Sequence, residues 1–579
     1  MGKRIVPVST ALVLLVASSL GAGLGFAQSE ESSPGPPVVT PSHNSTPTAS
    51  TTKYRLTAWS ELGMHCIDGK DYSVFSVLPP YNIVRAQLMT FTEPPVPITS
   101  GITITYQAVA DPSGSINTTS ATKTNFWDWD YLLFPKAIPG VISLVNPPPD
   151  VGLTGNPVQS LTPHRLTYNP SLGYWEATGI PTVPYDDTGK YKPYVMAILT
   201  VKSTSGTVLA TAKIVVPVSD EMRCSFCHAS NSDPHAKPNA GWVNNVDPLK
   251  DTKLNILRKH DDRFDISGYL SQLTAKGYRY KSTLEETANA LTPVLCDACH
   301  ASTAFGEAGL PGIHPLTQDV HTLHGRQIFV PTGKTLDQAT TPLQSCYLCH
   351  PGVSTRCQRG AMSTIACFSC HGNLAGTAPG TSGTYVGQAT RTGWLTEPAC
   401  QMCHQHSLRY TTTLNSSDHW RTSTDQTFAT NQNVPSKGFE LYRFSKGHGT
   451  LYCSSCHGSQ HAEFPTTQVN DNVYSTKLQG YKGVIRECSV CHNPVPVTLN
   501  GGPHGMHTVG QSWVDSHHDH VEGNLASCQY CHGTNYKGTF LSQLKTAKTF
   551  NAGDFGTKSF PSGHMISCYD CHNGPNGGG

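Results

Sequence analysis

The sequence predicts a two-part fold: a β-rich, sandwich-like region over residues 53–219, then a mostly irregular, short-helical region over 220–579. Three observations carry this. Residues 53–219 contain short β-prone segments and no Cys-x-x-Cys-His motif. The remainder contains nine such motifs, whose starts lie 21 to 72 residues apart. Charged residues make up only 14% of the chain, low for a globular protein, which fits an interior filled by bound groups and long uncharged loops.

The N-terminus has Lys3 and Arg4, an apolar run from Ile5 to Phe26, and Gly25-Phe26-Ala27 with small residues at its two deciding positions. This pattern predicts a secretory signal peptide over 1–27, hence an exported protein, periplasmic or at the cell surface. An uncleaved anchor is the competing reading, because the run approaches spanning length. Residues 28–52 are rich in Ser, Pro and Thr without hydrophobic period, predicting a flexible linker. No stable transmembrane segment is expected after cleavage.

Over 53–219, Ile102–Val109, Tyr194–Lys202 and Val208–Val216 read as strands. Ser203, Ser205 and Gly206 punctuate the last two as a hairpin. Pro147, Pro148 and Pro149 end a further apolar run, Val141–Val145. The last strand is expected to lead directly into Cys224. Such a region suits binding to a surface or partner subunit, or a scaffold role. Its segment Gly63-Met64-His65-Cys66 holds one of the two cysteines outside the nine motifs; the other is Cys357. In an oxidising compartment two such thiols most simply form a disulfide. Intermolecular pairing and free thiols stay open, since spacing does not reveal connectivity. Met64 and His65 read as structural residues, with axial ligation the sharper alternative.

Each motif supplies two thiols for thioether bonds to haem vinyl groups, and a histidine as proximal iron ligand. A single Cys-x-x-Cys also suits zinc or a redox dithiol, but nine copies, all followed by histidine, point to nine covalently attached haem c groups. The attachment residues are Cys224 and Cys227, Cys296 and Cys299, Cys346 and Cys349, Cys367 and Cys370, Cys400 and Cys403, Cys453 and Cys456, Cys488 and Cys491, Cys528 and Cys531, and Cys568 and Cys571. The proximal histidines are His228, His300, His350, His371, His404, His457, His492, His532 and His572. At roughly 40 residues per haem, no haem has its own protein core, so the haems must pack against one another. Connectors are expected to be glycine- and proline-rich, as from Gly372 to Gly383.

The chain has 27 histidines, enough to supply a distal ligand to every iron. The candidates are His235, His260, His314, His321, His324, His419, His448, His461, His507, His517, His518 and His564. His448 and His564 follow glycines just before a motif, where the backbone can approach a neighbouring porphyrin. His321 and His324 share a face if helical, and the sequential His517 and His518 suit two different haems. His406, His504 and His520 suit surface or outer roles equally well.

These motifs, the signal and the histidine supply resemble multihaem c-type cytochromes of metal-reducing bacteria. More narrowly, they are similar to periplasmic and extracellular cytochromes of Geobacter-like organisms, some of which polymerise into haem-lined filaments. The resemblance covers Cys224 to His572 and leaves the β-rich region unplaced. It implies low-potential, bis-histidine haems relaying electrons between redox protein partners and extracellular acceptors such as ferric oxides or electrodes, and permits a homopolymer.

The formal charge of +1 becomes roughly −8 once nine haems with ionised propionates are added, which argues against nucleic acid as partner. The alternative function is a multihaem reductase of a small oxyanion with one open haem. No Cys-x-x-Cys-Lys is present, and the cluster His504, His507, His517, His518, Asp519 and His520 is where an open site is expected.

Overall fold

In the computed structural model, the described residues are 53–139, 141–302, 309–360, 363, 366–377, 442–444, 446, 450–485, 487–494, 507, 510–521, 525, 528, 532, 535–538, 542, 544 and 547–575. The signal, the linker and the fifth motif, with Cys400, Cys403 and His404, lie outside them. So do His406, His419, His448, His504, Cys531 and the side chains of Cys370 and His520.

A β-rich region precedes one of short helices and 3-10 turns. The strands are β1 (Tyr54–Ser60), β2 (His65–Cys66), β3 (Phe75–Ser76), β4 (Val84–Thr90), β5 (Ile102–Ala108), β6 (His164–Arg165), β7 (Thr167–Asn169), β8 (Tyr174–Ala177), β9 (Tyr194–Ser203) and β10 (Val208–Ser219). One sheet runs β1-β4-β8-β7 and the other β2-β10-β9-β5-β6. The predicted hairpin is β9–β10, antiparallel along its length, with Gly206 at φ 85° in its turn, where a side chain would be strained.

Both sheets contribute to one core. Leu56, Ala58, Val84, Ala86 and Leu88 pack with Ile104, Tyr106, Leu199, Val201, Ile214 and Val216. Alternate positions of β1 and β4 carry polar residues, yet these too are buried: Thr57, Arg85 and Gln87. The chain around the sixth motif covers that second face. Gln87 Nε2 donates to Thr450 O at 2.9 Å and Gln87 Oε1 accepts from Tyr452 N at 3.2 Å. Arg85 is paired with Glu61 at 3.1 Å and Glu176 at 3.5 Å. The run Val141–Val145 forms no strand. It lies beside an isolated Ile138–Ile142 bridge, with Leu144 and Val145 exposed.

The β-rich region is not a separate cap. Phe464, Tyr474, Ile485 and Val490 belong to the same core. A second core joins Tyr72, Val74 and Phe75 to Leu254, Leu257, Val294 and Leu295, and Val294–Leu295 pairs in parallel with β3 just before Cys296. None of the described helices is long and apolar enough to cross a membrane.

Cys66 and Cys357 lie close enough that burial, and then the neighbouring Cys357 thiol, push the Cys66 thiol up. Both are thiols here. Oxidised protein is expected to carry the Cys66–Cys357 bond. Alkylation under denaturing conditions should label neither residue before reduction and both after it; labelling without reductant would refute the pairing.

Candidate cofactor-attachment sites

The motifs are numbered here as sites one to nine in chain order. Each motif whose geometry is fully described folds as a single helical turn. Examples are Ser225–His228, Cys296–Ala298, Cys346–Leu348, Cys453–His457, Cys488–Val490 and Cys568–Asp570. The turn places the histidine on the same side as the two thiols, since residues three and four apart share a helical face.

Five proximal histidines face a second histidine ring at nearly constant separation. The ring centres are 6.3 Å apart for His228 and His324, 6.2 Å for His350 and His321, and 6.1 Å for His371 and His461. They are 6.2 Å apart for His532 and His507, and 6.0 Å for His572 and His517. A sixth pair is His300 with His260, whose ring is held down to about 4 by burial and then by His300. The separation exceeds van der Waals stacking. It matches two metal–nitrogen bonds of about 2 Å each plus half a ring on either side.

The protonation pattern suits ligation. Nδ1 donates to a backbone carbonyl in His300 (His314 O, 3.0 Å), His321 (Thr317 O, 2.7 Å) and His324 (Val320 O, 2.7 Å). The same holds for His517 (Val514 O, 2.8 Å), His532 (Ile566 O, 2.9 Å) and His572 (Gly574 O, 2.8 Å). A carbonyl only accepts, so in the neutral ring Nε2 is left with the lone pair a metal needs. Burial, followed by its partner His324 or His321, holds His228 and His350 down to about 4, so both are neutral near pH 7.

Other candidates fall elsewhere. His235 is exposed and bonded to Asp233 at 3.0 Å. His314 is exposed on Asp319 at 3.0 Å, serving His300 through its carbonyl. His518 is exposed on Asp519 at 2.9 Å. His564 bonds Asp570 at 2.9 Å and stacks on Phe560. The expected cluster around His507 and His517 divides between sites eight and nine. His65 is buried with Nε2 unpartnered, pushed down to about 4 chiefly by burial, and faces Tyr81.

Contacts between motifs place neighbouring sites together. The first and second motifs share Asp68 and Lys253, which act on both Cys224 and Cys296. Arg223 N donates to Leu348 O at 3.1 Å, and Cys349 lies beside Cys224 and Cys227. The Cys346 and Cys367 thiols hydrogen-bond each other. His461, four residues past His457, faces His371, and Cys456 neighbours Cys491. Among the described sites these contacts give the order two, one, three, four, six, seven. Cys528 neighbours Cys568, pairing sites eight and nine.

Sequence reasoning missed the residues around the ligands: Asp68, Lys253, Asp319, Arg55 and Glu93. Chain crossings bring in Asp68, Lys253, Arg55 and Glu93, which no local pattern marks, whereas Asp319 lies on the helix of His321 and His324. Among the described residues, no three or more His, Cys, Asp or Glu gather as a set for a bare metal ion; the histidines come as opposed pairs. No family model, curated protein or solved structure matches this chain.

Proposed function

We propose that this chain is a multihaem c-type cytochrome whose function is electron transfer. The observation supporting it most is the set of proximal histidines facing a second ring at 6.0–6.3 Å across the motif sites. An opposed nitrogen pair beside two thiols suits a porphyrin, which supplies the remaining four nitrogens. Covalently bound haem would supply the one-electron chemistry. The chain's own contribution is placement and tuning: the cysteines anchor, the paired histidines make six of the sites six-coordinate, and their Nδ1–H bonds hold the rings in orientation.

In this reading, His324, His260, His321, His461, His507 and His517 are the distal ligands of sites one, two, three, four, eight and nine. Six-coordination at these six sites leaves no position for a substrate there, which favours relay over reduction of an oxyanion. The two sheets act as a sandwich-like support that buries parts of the chain from Thr450 to Val490. Export, redox protein partners, extracellular metal oxide acceptors and assembly into a homopolymer complete the proposal.

The test is low-temperature EPR of oxidised holoprotein, with spins counted against haem content. Nine haems per chain, all low-spin, is the expected result. A stoichiometric high-spin ferric signal would instead identify an open site, and absence of covalent haem would end the reading.

A further inference from the structure

We infer that Glu93, on the loop between β4 and β5, sets the reduction potential of site seven by accepting a hydrogen bond from its proximal histidine, His492. The inference rests on the haem reading above. The Glu93 carboxylate contacts His492 Nδ1 directly, although the residues are 399 positions apart.

The contact is built by the surrounding packing. Val490 is buried in the core shared by the two sheets, and Arg55 of β1 donates to its carbonyl. The Arg55 guanidinium lies 3.7 Å from the centre of the Phe91 ring. Asn493 N points to Thr92 O at 3.5 Å. Residues 91–93 are thereby held against the end of the seventh motif, with the His492 side chain 12% exposed and that of Glu93 31% exposed.

The chemistry distinguishes this site from sites one, two, eight and nine. His532 and His572 donate Nδ1–H to neutral backbone carbonyls, and His228 Nδ1 is buried without a partner. At site two, Asp319 comes within 3.3 Å of His300 Nδ1, but that nitrogen already reaches His314 O at 3.0 Å and Asp319 also holds His314. A carboxylate as the acceptor draws the Nδ1 proton toward itself and makes Nε2 a stronger donor. That stabilises the higher charge of the oxidised iron and lowers the potential. Site seven, at one end of the six-site order, is therefore set lower than its own ligand set alone would place it. The part of the chain without attachment motifs is what sets it.

The experiment is a spectroelectrochemical titration of holoprotein carrying Glu93→Gln, with haem content verified. Glutamine keeps an acceptor of similar shape and removes the charge. One of nine components is expected to move to higher potential by about tenfold in its reduction equilibrium, or about 59 mV for one electron. That component's low-spin EPR g values should move with it, and Glu93→Asp, which keeps the charge, should restore most of the shift. An unmoved titration, or a small shift spread over all nine components, overturns the inference. Protein without covalent haem overturns the electron-transfer reading on which it rests, and is told apart by the haem content alone.

Discussion

Replacing Arg359 with alanine is expected to lower stability by about 3–5 kcal/mol, the usual result of removing one partner from a buried ion pair. Arg359 is 1% exposed. It forms a two-pronged pair with Asp471 at 2.6 and 2.9 Å, donates to Gly63 O, and sits over the Tyr194 ring at 5.0 Å. One side chain thus ties β9 and the chain before β2 to the helix Val469–Gln479. Without it, Asp471 keeps Thr466 Oγ1 at 2.7 Å but loses its cation. The pair Arg359→Met with Asp471→Leu should regain most of the loss, because well-packed apolar replacements avoid the unpaired charge. Arg359→Lys should recover little, since lysine lacks the planar fork. Denaturant midpoints with haem content held constant measure all three. A loss below about 1 kcal/mol, typical of exposed pairs, would show that the pair does not tie the regions together.

Replacing His461 with asparagine is expected to convert one haem in nine from low-spin to high-spin with little loss of stability. His461 sits at φ 61°, a left-handed conformation uncommon for histidine and well tolerated by asparagine. Its backbone is held there by Arg359 N and Gly360 N, which donate to His461 O at 2.8 and 3.2 Å. Its ring faces His371 at 6.1 Å. A residue kept against its backbone preference points to a demand on the side chain, which in the proposed electron-transfer reading is ligation at site four. Asparagine satisfies the turn and not the iron, so spin state and fold stability separate. An unchanged low-spin count would assign the sixth ligand of site four elsewhere. A general collapse would assign His461 a packing role.

The nine motifs were legible because their pattern is local: two thiols and a histidine lie within five residues. The strands β5, β9 and β10 were legible from β-prone runs bounded by turn residues. β1 and β4 were not, because Thr57, Arg85 and Gln87 interrupt their β-prone runs with polar residues. In the fold they are buried by the chain around Tyr452, with Glu61 and Glu176 compensating Arg85. A polar residue buried with its partner looks the same in sequence as one in water. The distal candidates divided in the same way. His321 and His324 were singled out on one helical face and meet two different proximal rings, whereas His314 and His518 lie exposed on carboxylates.

By itself, then, the sequence determined the nine motifs, the thiols and histidines that the proposed attachment would use, and that β-rich structure precedes them. These depend on residues close in the chain. Only the tertiary structure decided which second histidine meets each ring, that sites four and six are joined through His461, and that Glu93 reaches His492 across the whole molecule. Those facts depend on how two sheets and a loop-rich chain bury each other, and packing of segments hundreds of residues apart leaves no local signature.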